Sequence, residues 1–381
     1  MTDTTLAPLP LPVDIRSRQV DNGNGLSMHV LEAGFEAPGR PCVLLLHGFP
    51  ELAYSWRKVM LPLAEAGYHV VAPDQRGYGR TTGWQQGYDA GLDEFRLLNL
   101  VRDALGLLAV LGHDSVAAVV GHDFGSPVAA WCALTRPDVF RSVVLMSAPF
   151  GGPPPAATAG LAEATRQLLD GLAALQPPRQ HYQWYYSTRE ANGHMQHAPQ
   201  GLHAFLRAYY HHKSADWPGN QPFRLAAMSG AELARLPSYY VMRADRTMAE
   251  TVAEEMPSPE QIAACRWLPD DELATYAAEY ARTGFQGGLQ WYRCGTSGRY
   301  TAEMQAWSGR TIDVPSCFIA GRSDWGIYQK PGDFEAMQAT ACTRMRGVHL
   351  IEGAGHWVQQ EQPGEVSRLL LGFLRKEATR R

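Results

Sequence analysis

The chain lacks a basic footprint. Its 34 Lys and Arg are outnumbered by 38 Asp and Glu, for a net charge of −4. That balance gives a polyanion nothing to hold, so nucleic acid is excluded as an expected partner. It also lacks a long apolar run: none approaches the ~18 residues that a membrane helix needs, so no membrane association is expected. Met1 to Val13 has no basic stretch leading into an apolar one, so no secretory signal is read there. Cysteine is sparse, six in 381 residues. Cys42, Cys132, Cys265, Cys294, Cys317 and Cys342 contain no CxxC pair. Reduced thiols in a cytoplasmic protein are expected, not a disulfide framework. What remains, 45% apolar and 19% charged residues, is ordinary for a folded chain. The length suits about two domains, or one core with a large insertion.

The first third alternates strand and helix. Gln19-Val20 and Leu26 to Leu31 flank the turn-rich Asp21 to Gly25, which predicts a hairpin. Cys42 to Leu46, Tyr68 to Ala72, Val116 to Val120 and Val143 to Met146 are short, largely apolar runs. Between them, Asn99 to Gly112 repeats apolar residues at helical spacing, and 126–135 reads as a second helix. Apolar strands separated by helices predict a parallel sheet buried on both faces. The breaker cluster Phe150 to Pro155 interrupts this pattern. Beyond it the chain is helical and aromatic to about residue 300, with a polar loop at Ser214 to Asn220. Strand character returns at Ser316 to Ala320 and Val348 to Ile351. The expectation is an α/β core at 1–147 and 300–381, with a helical cap at 148–299.

Gly121-His122-Asp123-Phe124-Gly125 follows one of these strands and opens a helix. A G-x-nucleophile-x-G turn between strand and helix is the nucleophile elbow of the α/β-hydrolase fold. As a bare pattern it could equally be a turn whose Asp caps the helix. The central carboxylate sets the chemistry. Serine attacking an alkyl carbon would form an ether that water does not cleave. A carboxylate forms an ester, which water does cleave, and it is ionised at neutral pH without help from a base. A histidine is then free to activate water for the second step.

His356, in Gly353-Ala354-Gly355-His356-Trp357, follows the last strand and fits that role. Asp324, after Ser316 to Ala320, fits the acid that orients it. The order nucleophile, acid, histidine is that of the hydrolases. Two backbone N–H groups can hold the tetrahedral oxyanion: that of Phe124, next to the nucleophile, and that of Phe49 in His47-Gly48-Phe49-Pro50.

Together, His47 to Glu51, Ser55-Trp56-Arg57, Asp74 to Gly79, the elbow and Gly355-His356-Trp357 resemble the soluble epoxide hydrolases of the α/β-hydrolase superfamily. His181 to Tyr185 and Thr283 to Arg293 are similar to that family's two cap-tyrosine motifs. The resemblance spans about 15–376 and is least constrained near 187–270. It implies an α/β-hydrolase fold, and an enzyme that opens an epoxide to a vicinal diol through an Asp123 ester. Tyr182 and Tyr292 would hydrogen-bond the epoxide oxygen, while His356 and Asp324 activate water. It implies a cis Phe49–Pro50 bond and substrate contacts from Phe49, Phe124, Gln183 and Trp357. It calls for no cofactor and no metal. The partners are a small apolar or aromatic epoxide and water, with room left for a homodimer.

Two other readings stay open. Haloalkane or haloacetate dehalogenases share the nucleophilic Asp, but Phe124 and Phe49 offer no side-chain donor for a halide or a carboxylate. A non-catalytic binder on the same scaffold would have no use for His356. The histidines at 194, 197, 211 and 212 lack metal-site spacing. Met242, Met248 and Met256 are expected to pack the cap, and Asp270-Asp271-Glu272 to start a helix.

Overall fold

The protein is described by a computed structural model covering residues 6–157 and 160–379. The first residues of the stretch read for a secretory signal lie outside them.

Among the described residues ten strands form: β1 Arg16–Asp21, β2 Ser27–Ala33, β3 Cys42–Leu46, β4 His69–Pro73, β5 Val116–His122, β6 Val143–Met146, β7 Arg179–His181, β8 Val241–Arg243, β9 Ser316–Gly321 and β10 Met345–Ile351. Eight build one sheet in the order β1-β2-β4-β3-β5-β6-β9-β10. β1 and β2 are the expected antiparallel hairpin, β2 runs antiparallel to β4, and every other pairing is parallel. This is the α/β-hydrolase fold that the sequence predicts.

The continuous apolar strands serve two cores at once. In β3, Cys42, Leu44 and Leu46 join the core on one face while Val43 and Leu45 join that on the other. Strand side chains alternate in direction, so burial on both faces demands an unbroken apolar run. Helix Leu97–Val110 covers one face, where its Leu100, Ala104, Leu107 and Leu108 are buried. Helix Pro363–Ala378 covers the other through Val366, Leu370, Phe373 and Leu374.

Between β6 and β9 the chain is largely helical, as expected, and helix Asp270–Thr283 begins at its acidic triplet. It also holds the antiparallel pair β7–β8. Neither three-residue strand, Arg-Gln-His or Val-Met-Arg, has the alternation that marks a strand, and the sequence gives no sign of the pair. Met242 and Met248 are fully buried here. Met256 corrects its expectation: it is 36% exposed, because it lies beyond the end of helix Met248–Ala253. All six cysteines are free thiols. Among the described residues no helix is long and apolar enough to cross a membrane, and no cluster of His, Cys, Asp or Glu could hold a metal ion.

Candidate active site

The loops leaving the carboxyl ends of β3, β5, β9 and β10 converge, as open α/β sheets arrange their sites. Asp123 follows β5 in the left-handed region, φ 52°. A non-glycine residue is rarely held there, and such strain is kept where surrounding structure fixes it. The turn is tight enough that a Cβ on Gly125 would sit 2.2 Å from the Leu46 carbonyl oxygen. Helix Gly125–Thr135 then runs back along the sheet.

Asp123 is buried and both its oxygens are engaged. The Phe49 N–H donates to Oδ1 at 2.9 Å, and His356 Nε2 lies 3.2 Å from Oδ2. The Phe49–Pro50 bond is cis. His356 Nδ1 meets Asp324 Oδ1 at 3.0 Å, and the Gly326 N–H donates to the same oxygen at 2.7 Å. Burial alone would push the Asp123 carboxyl up. The His356 hydrogen bond and charge, with Lys213 and His122 behind them, more than offset this and hold it below the usual carboxylate range. For Asp324, burial is likewise outweighed by the charge and hydrogen bond of His356. The sequence-predicted nucleophile, base and acid are thus brought together, His356 hydrogen-bonded to Asp324 and within ion-pair distance of Asp123.

Tyr182 and Tyr292 reach the same space from different elements. Tyr182 opens helix Tyr182–Tyr186 directly after β7, and Tyr292 lies in helix Gln286–Thr296. Their ring centroids are 5.8 Å apart. Burial, reinforced by the Asp123 charge, holds both phenols well above their ordinary value, so both stay protonated donors. Tyr182 donates to Gln329 Oε1 at 3.2 Å and accepts from Gln183 Nε2 at 3.2 Å.

Asp123, Phe124, Tyr182, Gln183 and Tyr292 line a cavity of about 290 Å³. Phe95, Leu100, Trp131 and Phe150 make its apolar wall, and Gln329, Lys330 and Asp333 a polar one. Phe49 packs from behind, its ring 5.5 Å from that of Tyr292. Trp357 corrects its expectation. It is fully buried beside His356, 4.7 Å ring to ring, its indole N–H donates to the Tyr210 carbonyl, and it does not line the cavity. An aromatic next to such a histidine reads equally well as packing or as pocket wall, and here it is packing.

Three supports went unread in the sequence. Glu51 and His122, both fully buried, pair at 2.5 Å. Burial opposes charge on each. For His122 the Glu51 charge and hydrogen bond win and raise it; for Glu51 the His122 charge wins and lowers it. His122 Nε2 then donates to the His356 carbonyl at 2.7 Å. Glu361 accepts the N–H groups on either side of His356, those of Gly355 and Trp357, each at 2.9 Å, and that of Ala215 at 2.8 Å. Burial pushes its carboxyl up to about 8 while these donors pull it back. Glu51 and His122 were visible inside their motifs, but only folding shows that they pair. Glu361 sits five residues past the histidine with no pattern to flag it.

A fold of this topology with a nucleophile elbow, an acid and a histidine in this order defines a hydrolase of the α/β class. The family model for the alpha/beta hydrolase fold matches residues 41–363. Epoxide hydrolase A of Mycobacterium tuberculosis is 36% identical over 94% of this chain and 96% of its own. The epoxide hydrolase of Caballeronia sordidicola is 34% identical over 92% of both. Among solved structures, an epoxide hydrolase from an endophytic Streptomyces superposes with a TM-score of 0.76 at 31% identity, covering 97% of each chain. The chain belongs to the epoxide hydrolase family of the α/β-hydrolase fold.

Proposed function

We propose that the protein hydrolyses a small epoxide, apolar or aryl-substituted, to a vicinal diol through a covalent ester on Asp123. The observation that carries this reading is a carboxylate nucleophile facing two neutral phenols across one cavity. The segment 148–299 acts as a cap that supplies the phenols, and the core 1–147 and 300–381 supplies the triad.

In the first step Asp123 Oδ2 attacks an epoxide carbon. The carbon–oxygen bond of the ring breaks, and the departing oxygen takes a proton from Tyr182 or Tyr292. Oδ1 stays on the Phe49 N–H. In the second step His356 takes a proton from water, and the hydroxide adds to the carboxyl carbon of Asp123. The oxyanion on Oδ1 is held by the N–H of Phe49, with that of Phe124 as second donor. Collapse releases the diol, whose leaving oxygen takes the proton held by His356, and the proton left on the Asp123 carboxyl replaces through water the one that the tyrosine gave up in the first step.

A dehalogenase reading is disfavoured by the donors at hand. Phe124 and Phe49 have none in their side chains, and the Trp291 N–H is taken by the Arg76 carbonyl at 3.0 Å. The test is a single turnover in heavy-oxygen water, with an aryl epoxide and a haloalkane side by side. The reading expects diol that carries oxygen from Asp123, unlabelled on the first turnover, and no halide. Diol labelled by solvent on that turnover would mean direct attack by water.

A further inference from the structure

The two phenols that line the cavity with Asp123 are not bonded alike. Tyr182 Oη sits between two side-chain amides: it donates its proton to Gln329 Oε1 at 3.2 Å and accepts an N–H from Gln183 Nε2 at 3.2 Å. Tyr292 lines the same cavity, but its hydroxyl makes no hydrogen bond with any described residue. Both amides line that cavity too. Gln183 follows Tyr182 in helix Tyr182–Tyr186, where its N–H donates to His181 Nδ1 at 3.3 Å and its carbonyl accepts from Ser187 Oγ at 2.7 Å. Gln329 comes from the other side of the site. It lies on the loop after β9 that also carries Asp324, between the turn Trp325–Ile327 and helix Asp333–Ala336.

That difference decides where charge can go. A phenol that gives its proton to the opening epoxide becomes a phenolate, and a buried anion needs donors. A phenolate on Tyr182 would keep the Gln183 N–H, and such a bond strengthens as charge develops on the acceptor. A phenolate on Tyr292 would have no donor among the described residues. Burial and the Asp123 charge raise both phenols. For Tyr182 the Gln183 hydrogen bond pulls the other way, while for Tyr292 the neighbouring Tyr182, Tyr209 and Tyr186 push it further up. The Tyr182 proton also has a prior acceptor. A phenol has one such proton, so an epoxide must take it from Gln329 Oε1. Tyr292 can donate to the epoxide oxygen without giving up a bond.

We propose that Tyr182 is the phenol that transfers its proton while Tyr292 only hydrogen-bonds the epoxide oxygen, and that Gln183 and Gln329 are positioning residues that set this division. As Asp123 Oδ2 bonds to the epoxide carbon, the ring carbon–oxygen bond breaks and the freed oxygen takes the Tyr182 proton. The electron pair left on Tyr182 Oη is held by the Gln183 N–H. This division rests on the reading of both phenols as partners of an epoxide oxygen.

The experiment follows ester formation by stopped flow across a range of aryl epoxide concentrations. It uses Gln183→Met and Gln329→Met, each alone and combined with Tyr182→Phe or with Tyr292→Phe. Gln183→Met removes a bond that strengthens only as the phenolate forms, so the limiting rate should fall about tenfold with half-saturation near the parent's. Gln329→Met removes the acceptor that competes with the epoxide, so half-saturation should fall about fivefold and the limiting rate should hold. Both effects should persist beside Tyr292→Phe and vanish beside Tyr182→Phe. Effects that survive Tyr182→Phe would mean that the amides act on substrate or on packing, and would overturn the proposal. So would an unchanged limiting rate in Gln183→Met, an unchanged half-saturation in Gln329→Met, or effects that vanish with Tyr292 instead. The hydrogen bonds are read without turnover by carbon-13 NMR at tyrosine Cζ. The Tyr182 resonance should move in both Met variants and the Tyr292 resonance in neither; an unmoved Tyr182 resonance overturns the proposal in any case. A parent that forms no ester, with these resonances as expected, would fault the proposed function. A parent that forms ester without the kinetic split would fault the division between the tyrosines.

Discussion

A serine at position 123 would strand this site after its first bond, because an alkyl ether does not leave. The whole residue-level account follows from a carboxylate in that place, and its other half is the pair of phenols opposite. Tyr182→Phe and Tyr292→Phe keep the rings that pack against Tyr186, Phe49 and Phe124 and remove only the hydroxyls. Each single variant should slow ester formation. The double variant should lose about 10²–10⁴-fold, the usual weight of general-acid help. Stopped-flow ester formation checks this, and an unimpaired double variant would return both tyrosines to packing. Gly48→Ala should act on Asp123 itself. The added Cβ would sit 2.4 Å from Asp123 Cβ and Oδ1, too close for either to stay. We expect a folded protein, by circular dichroism, whose ester formation falls by tenfold or more.

At the scale of elements, the site is a set of loops pinned by buried polar groups. Glu361 holds both neighbours of His356 and reaches Ala215, just past helix Leu202–Lys213. Glu361→Ala leaves three buried N–H groups without an acceptor. At about 1 kcal/mol or more each, urea unfolding should show a loss of about 3 kcal/mol, and ester hydrolysis should slow more than ester formation. Equal slowing of both steps would mean that the loop matters before the ester exists. Elements were legible in proportion to their apolar contrast. β3, β5 and β9 read clearly because burial on both faces requires unbroken apolar runs. β7 and β8 did not, because three residues cannot show a period. Yet β7 is the element that delivers Tyr182, so the motif revealed the residue while its support stayed hidden. Trp357 shows the converse: its place beside His356 was legible, but which way its ring faces was not.

At the scale of the molecule, the carboxylate expected to set acid stability is not the proposed nucleophile. Asp74 accepts the N–H groups of Ala53 and Arg80 at 2.8 and 2.9 Å and meets His29 Nδ1 at 2.7 Å. Burial pushes it up, but the charge and hydrogen bond of His29 dominate, leaving it near 2. A carboxyl lowered on folding stabilises above its unfolded value and loses that contribution as pH falls. Between about pH 4 and 2 the protein should lose about 2 kcal/mol through this group. Asp74→Asn should be less stable at neutral pH and flatter across that acid window in urea titrations; an unchanged slope would assign the acid sensitivity elsewhere. The fold, and the meeting of Asp123, Asp324, His356, Tyr182 and Tyr292 in one place, were legible because motifs and strand ends order them along the chain. The Glu51–His122 pair was not, because its partners lie far apart in sequence, and Glu361 was not, because no pattern marks a carboxylate that grips a nearby loop through backbone N–H groups. The central claim is that chemistry divides at the ester, and one measurement meets it directly. His356→Gln with an aryl epoxide substrate should gain the mass of one substrate on Asp123 and hold it, by intact-protein mass spectrometry, while Asp123→Ala gains none. A folded His356→Gln protein that never gains mass with an epoxide the parent hydrolyses would contradict the account.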